Sequence, residues 1–302
     1  MKIGKTQNQT RRALSLFSGC GGLDIGAHLA GFTTEVAIEL EPVFCDSLKA
    51  NQFLSRCEMS QFDDWFVNFV SGMGRPESKQ IELTRKRLLS GVGRPNAMSG
   101  CKVISADVGR VGADDIIPLV GEPGTLELVL GGPPCQSFSQ AGKRGGLEDS
   151  RGRLFLDFVR FVDSLRPRFF LFENVKGLTH LMGPVVKSYC AECGEFQPRF
   201  GELIASDEVS CPRCGRLCEN TGATINRKTG TLEIIVNEFQ LIGYTIHTVM
   251  LNAADFGAPQ NRERLFIVGS RDGEKFVPPA SSHFSQTEPA HLFDRQDLLP
   301  YN

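Results

Sequence analysis

ALSLFSGCGGLDIGAHLAGFTTEVAIEL, residues 13–40, decides the fold class. Residues 13–18, ALSLFS, are a short apolar run of the kind that forms a buried strand. Gly19, Gly21 and Gly22 follow, then LDIGAHLAGF in helical period, which Gly31 stops. TEVAIEL is a second strand, with Glu39 near its end. Strand, glycine turn, helix and strand make the opening unit of a nucleotide-binding α/β fold. The glycines let backbone approach a ligand closely at a helix N-terminus. Glu39 lies 20 positions beyond Gly19, where a carboxylate can accept hydrogen bonds from ribose hydroxyls. Enzymes of NAD, FAD and S-adenosylmethionine all use this arrangement. Leu23 and Asp24 depart from a strict G-x-G-x-x-G run, so the turn alone does not choose among them.

Working outward, the strand pattern returns at CKVISAD, ending on Asp107, and at LELVLGG, which runs into Pro133, Pro134 and Cys135. A loop rich in Gly, Ser, Lys and Arg spans residues 136–153, followed by the helix LFLDFVRFVDSL and the strand FFLFEN. The helix LEIIVNEFQLIG and the strands YTIHTVMLN and RLFIVGS complete the pattern. Residues 57–99, with an amphipathic DDWFVNFV and a basic IELTRKRLL, read as an insertion. The expected fold is α/β, Rossmann-like, with a mostly parallel sheet. In such a sheet ligands bind beyond the carboxyl ends of the strands. The glycines, Glu39, Asp107, Cys135 and Glu173 all stand at strand ends, so they share one edge.

Cys135 directly follows two prolines, on a stiff turn in polar surroundings. Lys143, Arg144 and Arg151 on the next loop favour its thiolate, the nucleophilic form. Glu173 ends an apolar strand, where partial desolvation suits a carboxyl to hydrogen-bond or protonate a ring nitrogen. Arg262 and Arg264 alternate on entry to a strand, which would turn both toward one face. That face can orient Glu173 or hold a phosphate.

Together these pieces resemble the cytosine-C5 DNA methyltransferase family, in the family's order, from Leu14 to Gly269. LFSGCGGLDIG is similar to its cofactor loop, and EDSRGRLF resembles the segment after its mobile catalytic loop. PPCQSFSQAGKR, ENV and QNRER resemble its three catalytic signatures. The resemblance implies S-adenosylmethionine as cofactor and double-stranded DNA as partner. It makes Cys135 the nucleophile on cytosine C6 and puts Glu173 on N3 and the exocyclic amine. Arg264, with Arg262 nearby, supports the base and the loop. Phe17 stacks on the adenine, Gly19, Cys20 and Gly22 border the methionine part, and Glu39 holds the ribose. Leu40 packs on the adenine, Asp107 and Val108 read its amine, and Pro133 and Leu154 line the cofactor pocket. A methylated RNA substrate, tRNA, and a non-catalytic scaffold that binds cofactor or DNA are the competing readings. Intact Cys135, Glu173, Arg262 and Arg264 argue against the scaffold.

Cys190 and Cys193 form one C-x-x-C, Cys211 and Cys214 a second, with 17 residues between the pairs. This is zinc-ribbon spacing, and four thiolates leave a structural Zn2+ no open position. Cys218 is a spare. The family connects these motifs more briefly, so residues 183–230 are an added module.

The composition, 41% hydrophobic and 23% charged, is that of a globular domain. No apolar run is long enough to span a bilayer and no secretory signal is visible, so a cytoplasmic, nucleoid-associated enzyme is expected. Ten cysteines in that setting point to metal, catalysis or core positions rather than disulfides. The net charge of −2 counts against an autonomous DNA binder unless it hides a local basic groove. The catalytic domain is expected over 1–182 and 231–273, with 274–302 a tail or a linker to a recognition domain. The family's target-recognition domain and two later motifs have no counterpart here. Either a longer chain or a second subunit is expected to supply them, as part of a restriction-modification or DNA-protection system.

Overall fold

A computed structural model describes residues 11–72, 74, 76–134, 154–180, 182–196, 208–211, 213–219, 223–284 and 299–300. The chain divides into two compact units, Met1–Gly131 and Gly132–Asn302.

In the first unit, β1 (Arg11–Leu16), β2 (Phe32–Glu39), β3 (Lys102–Ser105) and β4 (Leu128–Gly131) lie in the order β4-β1-β2-β3. All three pairings are parallel. Leu14, Leu16, Ala37, Ile38, Val129 and Leu130 are fully buried. Such runs, apolar without alternation, mark strands covered on both faces. The connecting helices are α1 (Gly22–Leu29), α2 (Pro42–Leu54), α3 (Met59–Gly72), α4 (Ser78–Leu89) and α5 (Ala113–Val120). The expected insertion is thus largely helical. α3 and α4 carry their own apolar cluster, in which Phe62 and Phe66 are buried and Trp65 stacks on Phe69 at 5.0 Å.

In the second unit, α6 (Leu154–Leu165) precedes β5 (Phe169–Val175). β6 (Met182–Cys190), β7 (Gly194–Phe196), β8 (Glu208–Ser210), β9 (Leu217–Glu219) and β10 (Ala223–Gly230) build the cysteine-rich part. α7 (Thr231–Leu241), β11 (Thr245–Asn252) and β12 (Glu263–Ser270) follow. β12 pairs antiparallel with both β11 and β5. The mostly parallel expectation therefore holds, with β12 alone running against its neighbours β5 and β11. The reason is the connection: β11 returns into β12 over residues 253–262 without a crossover helix, and such a reversal forces antiparallel pairing. Phe158, Phe170, Phe172 and Phe239 fill the core, with Phe170 stacked on Phe239 at 4.1 Å. β6 pairs antiparallel with β10 and β7, and β8 with β9. A short pair, His283–Phe284 with Leu299–Pro300, lies in the expected tail.

Candidate active site

At the carboxyl ends of β1 and β2 the chain makes a turn with unusual backbone. Phe17 has φ 54°, a left-handed conformation that non-glycine residues avoid, and Gly19 and Gly21 continue at 54° and 81°. Glu39, 7% exposed, fastens this turn. Its Oε2 accepts the Gly19 N–H at 2.7 Å and its Oε1 the Glu41 N–H at 2.8 Å. Each carboxylate oxygen keeps a further lone pair, enough for the two hydroxyls of a ribose. A Cβ built on Gly19 or on Gly22 meets nothing within 4 Å, so open space lies over the turn and the start of α1. Leu40 is exposed, Val108 is buried, and Asp107 Oδ1 accepts the Gly109 N–H at 3.0 Å. A carboxylate with spare lone pairs and an open glycine cradle fit the ribose and methionine parts of S-adenosylmethionine.

Beneath the turn lies a carboxyl that the sequence pattern does not single out. Asp24 on α1 is fully buried. Its Oδ2 accepts from the Ser15 hydroxyl at 3.1 Å and its Oδ1 from the Thr34 hydroxyl at 3.0 Å, tying α1 to β1 and β2. Ser18 joins through the Ser15 hydroxyl at 2.9 Å. Burial pushes the Asp24 pKa upward, against the lowering effect of these hydrogen bonds. The available signal was an acid inside the apolar helix LDIGAHL.

In the second unit, the β5–β12 register sets Arg264 opposite Val175 and Phe266 opposite Glu173. Glu173 and Arg264 are therefore diagonal neighbours on one face. They form an ion pair, Nε to Oε1, at 2.8 Å, each about one-fifth exposed. The next cross-strand pair is Lys176 with Glu263 at 2.8 Å. Arg262 does not join them. It precedes β12, so strand alternation does not reach it. Its backbone N–H is taken by Asn252 Oδ1 at 3.0 Å and its carbonyl by the Ala253 N–H, while its side chain is exposed. Asn174, 4% exposed, donates from Nδ2 to the Pro133 carbonyl at 3.4 Å and accepts the Val175 N–H at 2.8 Å. A Cβ on Gly132 would lie 2.9 Å from Glu173 Oε2, so a larger residue there would push that carboxylate aside. Pro133 is buried and Leu154 opens α6. Cys135 and the loop through Arg153 lie outside the described residues.

The four cysteines of the two C-x-x-C pairs converge. The sulfurs of Cys190, Cys193, Cys211 and Cys214 all lie within 4.8 Å of one another, and Cys190 and Cys214 are 3.7 Å apart. Gly194 and Gly215 have φ 81° and 72°, the turns that let amides approach the sulfurs. Hydrogen bonds from the Cys193 and Glu192 amides pull the Cys190 pKa down to about 6. Cys218 stays outside the quartet, buried beside Cys190, Val209 and Cys211.

These features have counterparts in known proteins. The model of the C-5 cytosine-specific DNA methylase family matches residues 114–195 and 217–299. The Type II methyltransferase M.AquIA of Picosynechococcus sp. is 32% identical over 295 residues, which cover 96% of this chain and 85% of that protein. The chain belongs to the C-5 cytosine-specific DNA methylase family. Type II methyltransferase M.NgoPII of Neisseria gonorrhoeae is 26% identical over 260 residues, 86% of this chain and 48% of that one. M1.HphI of Haemophilus parahaemolyticus is 28% identical over 273 residues, 89% and 48%. The methylase thus spans about half the length of these two relatives. No helix among its described residues is long and apolar enough to cross a membrane.

The sequence pattern located Glu173 and Arg264 in this methylase but missed what aims them. Asn174 and Gly132 show their purpose only when β5 and the proline turn are seen together. Asn252 is similar: its side chain closes the reversal between β11 and β12 that delivers Arg264.

Proposed function

We propose that this methylase transfers the methyl group of S-adenosylmethionine to C5 of cytosine in double-stranded DNA. The observation that carries the reading is the Glu173–Arg264 pair, with Asn174 of the same strand anchoring the Pro133 turn that leads into Cys135. Bound S-adenosylmethionine supplies the electrophilic methyl. Phe17, Gly19, Cys20, Gly22, Glu39, Leu40, Asp107, Val108, Pro133 and Leu154 are the residues proposed to hold it. The target base must leave the stack before any residue can reach it. The Cys135 thiolate adds to C6, forming an S–C bond and making C5 enamine-like. Glu173, steadied by Arg264, binds N3 and the exocyclic amine and stabilises the charge that gathers there. C5 takes the methyl, a base removes the C5 proton, and the C5–C6 double bond re-forms as the thiolate leaves. Arg262 faces solvent and is assigned to a phosphate or the closing loop.

Cys135→Ala should abolish turnover while cofactor binding persists, and an unchanged methylation rate would sink the mechanism. Methyl incorporation into duplex DNA compared with tRNA tests the substrate. Fluorocytosine DNA should be trapped covalently by the native chain, and no trapping favours a scaffold.

Cys190, Cys193, Cys211 and Cys214 are proposed to hold one structural Zn2+ in a ribbon-like module over 183–230. A tetrahedral site with Zn–S near 2.3 Å spaces its sulfurs about 3.8 Å apart, a value the Cys190–Cys214 distance supports. The domain division is proposed as 1–182 with 231–273 for catalysis, 57–99 inserted, and 274–302 a linker. Target recognition is assigned to a recognition domain or a second subunit outside the residues given a role here, as M.NgoPII and M1.HphI, about twice as long, have room for such a domain. The setting is a restriction-modification or DNA-protection system in the cytoplasm. Site-specific methylation by the purified 302-residue chain decides this, and robust activity without added protein overturns it.

A further inference from the structure

The charge of the chain is unevenly spread. Residues 49–102 carry nine Lys or Arg against five Asp or Glu, a surplus of four in a chain of net charge −2. Within that stretch a cleft of about 450 Å³ opens between α2 and the start of β3. Lys49 from α2, Arg56 just past its end, and Lys102 at the first position of β3 all line it, with no acidic residue in the lining. Among the described residues none of the three cationic side chains has an ion-pair partner, whereas Arg85 nearby in sequence is committed to Asp63. The walls are clamped. Gln52 Nε2 donates to the Cys101 carbonyl, and Asn96 Nδ2 donates to the Asn51 carbonyl at 2.9 Å, so α2 and the approach to β3 are tied on both sides. The floor adds no anion, because burial pushes the Cys101 thiol up to about 12. Three exposed cations that share one lining with no acid offer an anion several charges at once.

We propose that this cleft holds phosphates of a duplex DNA backbone, an interaction supplied by the first unit and separate from the residues assigned to the cofactor and the reacting base. The proposal rests on the reading of DNA as substrate. A nucleic acid fits better than one small anion because the basic surplus extends beyond the cleft, with Lys79, Lys86 and Arg87 exposed on α4. A carboxyl-rich loop or free phosphate would engage the cleft and leave that surplus idle. The interaction also answers how a chain of net negative charge grips DNA.

The test is fluorescence anisotropy of the full chain on a nonspecific duplex across a range of KCl concentrations. Removing one cation that neutralises a phosphate should flatten the slope of log K against log salt by about 0.9. The triple variant Lys49→Gln, Arg56→Gln, Lys102→Gln should therefore flatten it by about two to three units, and Lys275→Gln should leave it unchanged. Should the triple variant fail to fold, Lys102→Gln alone should flatten it by about one unit. An unchanged slope in a folded variant overturns the proposal. So does a triple-sensitive binding of inorganic phosphate with an unchanged DNA slope, which would make this a small-anion site. Trapping of fluorocytosine DNA at saturating DNA is measured alongside. Intact trapping with a flattened slope supports a phosphate-binding cleft apart from the chemistry. Absent trapping by the native chain counts against the methyl-transfer reading, and the slope still decides the cleft.

Discussion

The Cys20–Gly21 turn in the first unit and the Cys193–Gly194 and Cys214–Gly215 turns in the second use the same dipeptide with the glycine at φ 81°, 81° and 72°. They are fastened by opposite means. Around Gly21 the fasteners are carboxylates: Glu39 takes two backbone N–H groups, and buried Asp24 takes two hydroxyls from neighbouring strands. Apolar strands on which these groups rest are fully buried, so the turn has a core beneath it. Around Gly194 and Gly215 the only compact cluster among the described residues is Cys190, Val209, Cys211 and Cys218, with Cys193 against it. That cluster is small beside the fully buried strands under Gly21, so among the described residues the thiols themselves make up most of what holds these turns. The difference teaches that a glycine knuckle is neutral hardware, and what surrounds it decides whether it suits an open carboxylate-fastened turn or a cluster of thiols.

The largest expected effect comes from removing the Zn2+ proposed at the four cysteines. A structural Zn2+ contributes apparent binding energies of about 10–16 kcal/mol, so a chelator should expose all four thiols and loosen the module proposed over 183–230. Cofactor binding, which uses none of residues 183–230, should survive. Thiol labelling alongside S-adenosylmethionine titration checks this, and joint loss of both would erase the comparison. Asp24→Ala should act in reverse. Orphaning two buried hydroxyls costs about 3 kcal/mol, so the denaturation midpoint and cofactor affinity should fall with zinc content unchanged.

Asp24 also gives a pH signature. Its folded pKa is raised above the ordinary 3.8. The folded state therefore binds the proton more tightly than the unfolded one, and stability from this group declines as pH rises from 3.8 through the raised value. Asp24→Asn should remove that decline, leaving a flatter curve than the native protein over the same interval. An identical pH dependence would show that the carboxyl does not govern the turn. The smallest effects belong to the glycines. Gly19→Ala should cost about 1 kcal/mol from φ 54° alone. Gly22→Ala, with ordinary φ and open space, should leave the unfolding free energy within about 0.5 kcal/mol of native while weakening S-adenosylmethionine binding.

Much of this was legible in the sequence because it is local. The strands around the glycine turn, the place of Glu39 beside that turn, and the two C-x-x-C pairs follow from periodicity and spacing. Arg264 was legible too, but Arg262 was not, since strand alternation cannot say where a strand begins. Asp24 looks like a surface acid in a short helix and is instead the buried tie of the turn. The antiparallel run of β11 and β12 was hidden because both strands have patterns compatible with either direction.

The sequence by itself determined which chemistry-bearing residues exist and which local turns they occupy. Glycine's freedom at positive φ, the two-residue period of strands and the reach of a C-x-x-C are properties of a few adjacent residues. Only the tertiary structure decided the pairing of Glu173 with Arg264, the anchoring of the Pro133 turn by Asn174, the burial of Asp24 and the gathering of Lys49, Arg56 and Lys102. Each of these joins residues far apart in the chain or on different elements. Strand register and helix packing set such meetings, and they are fixed by the balance of burial across the whole unit rather than by any local rule.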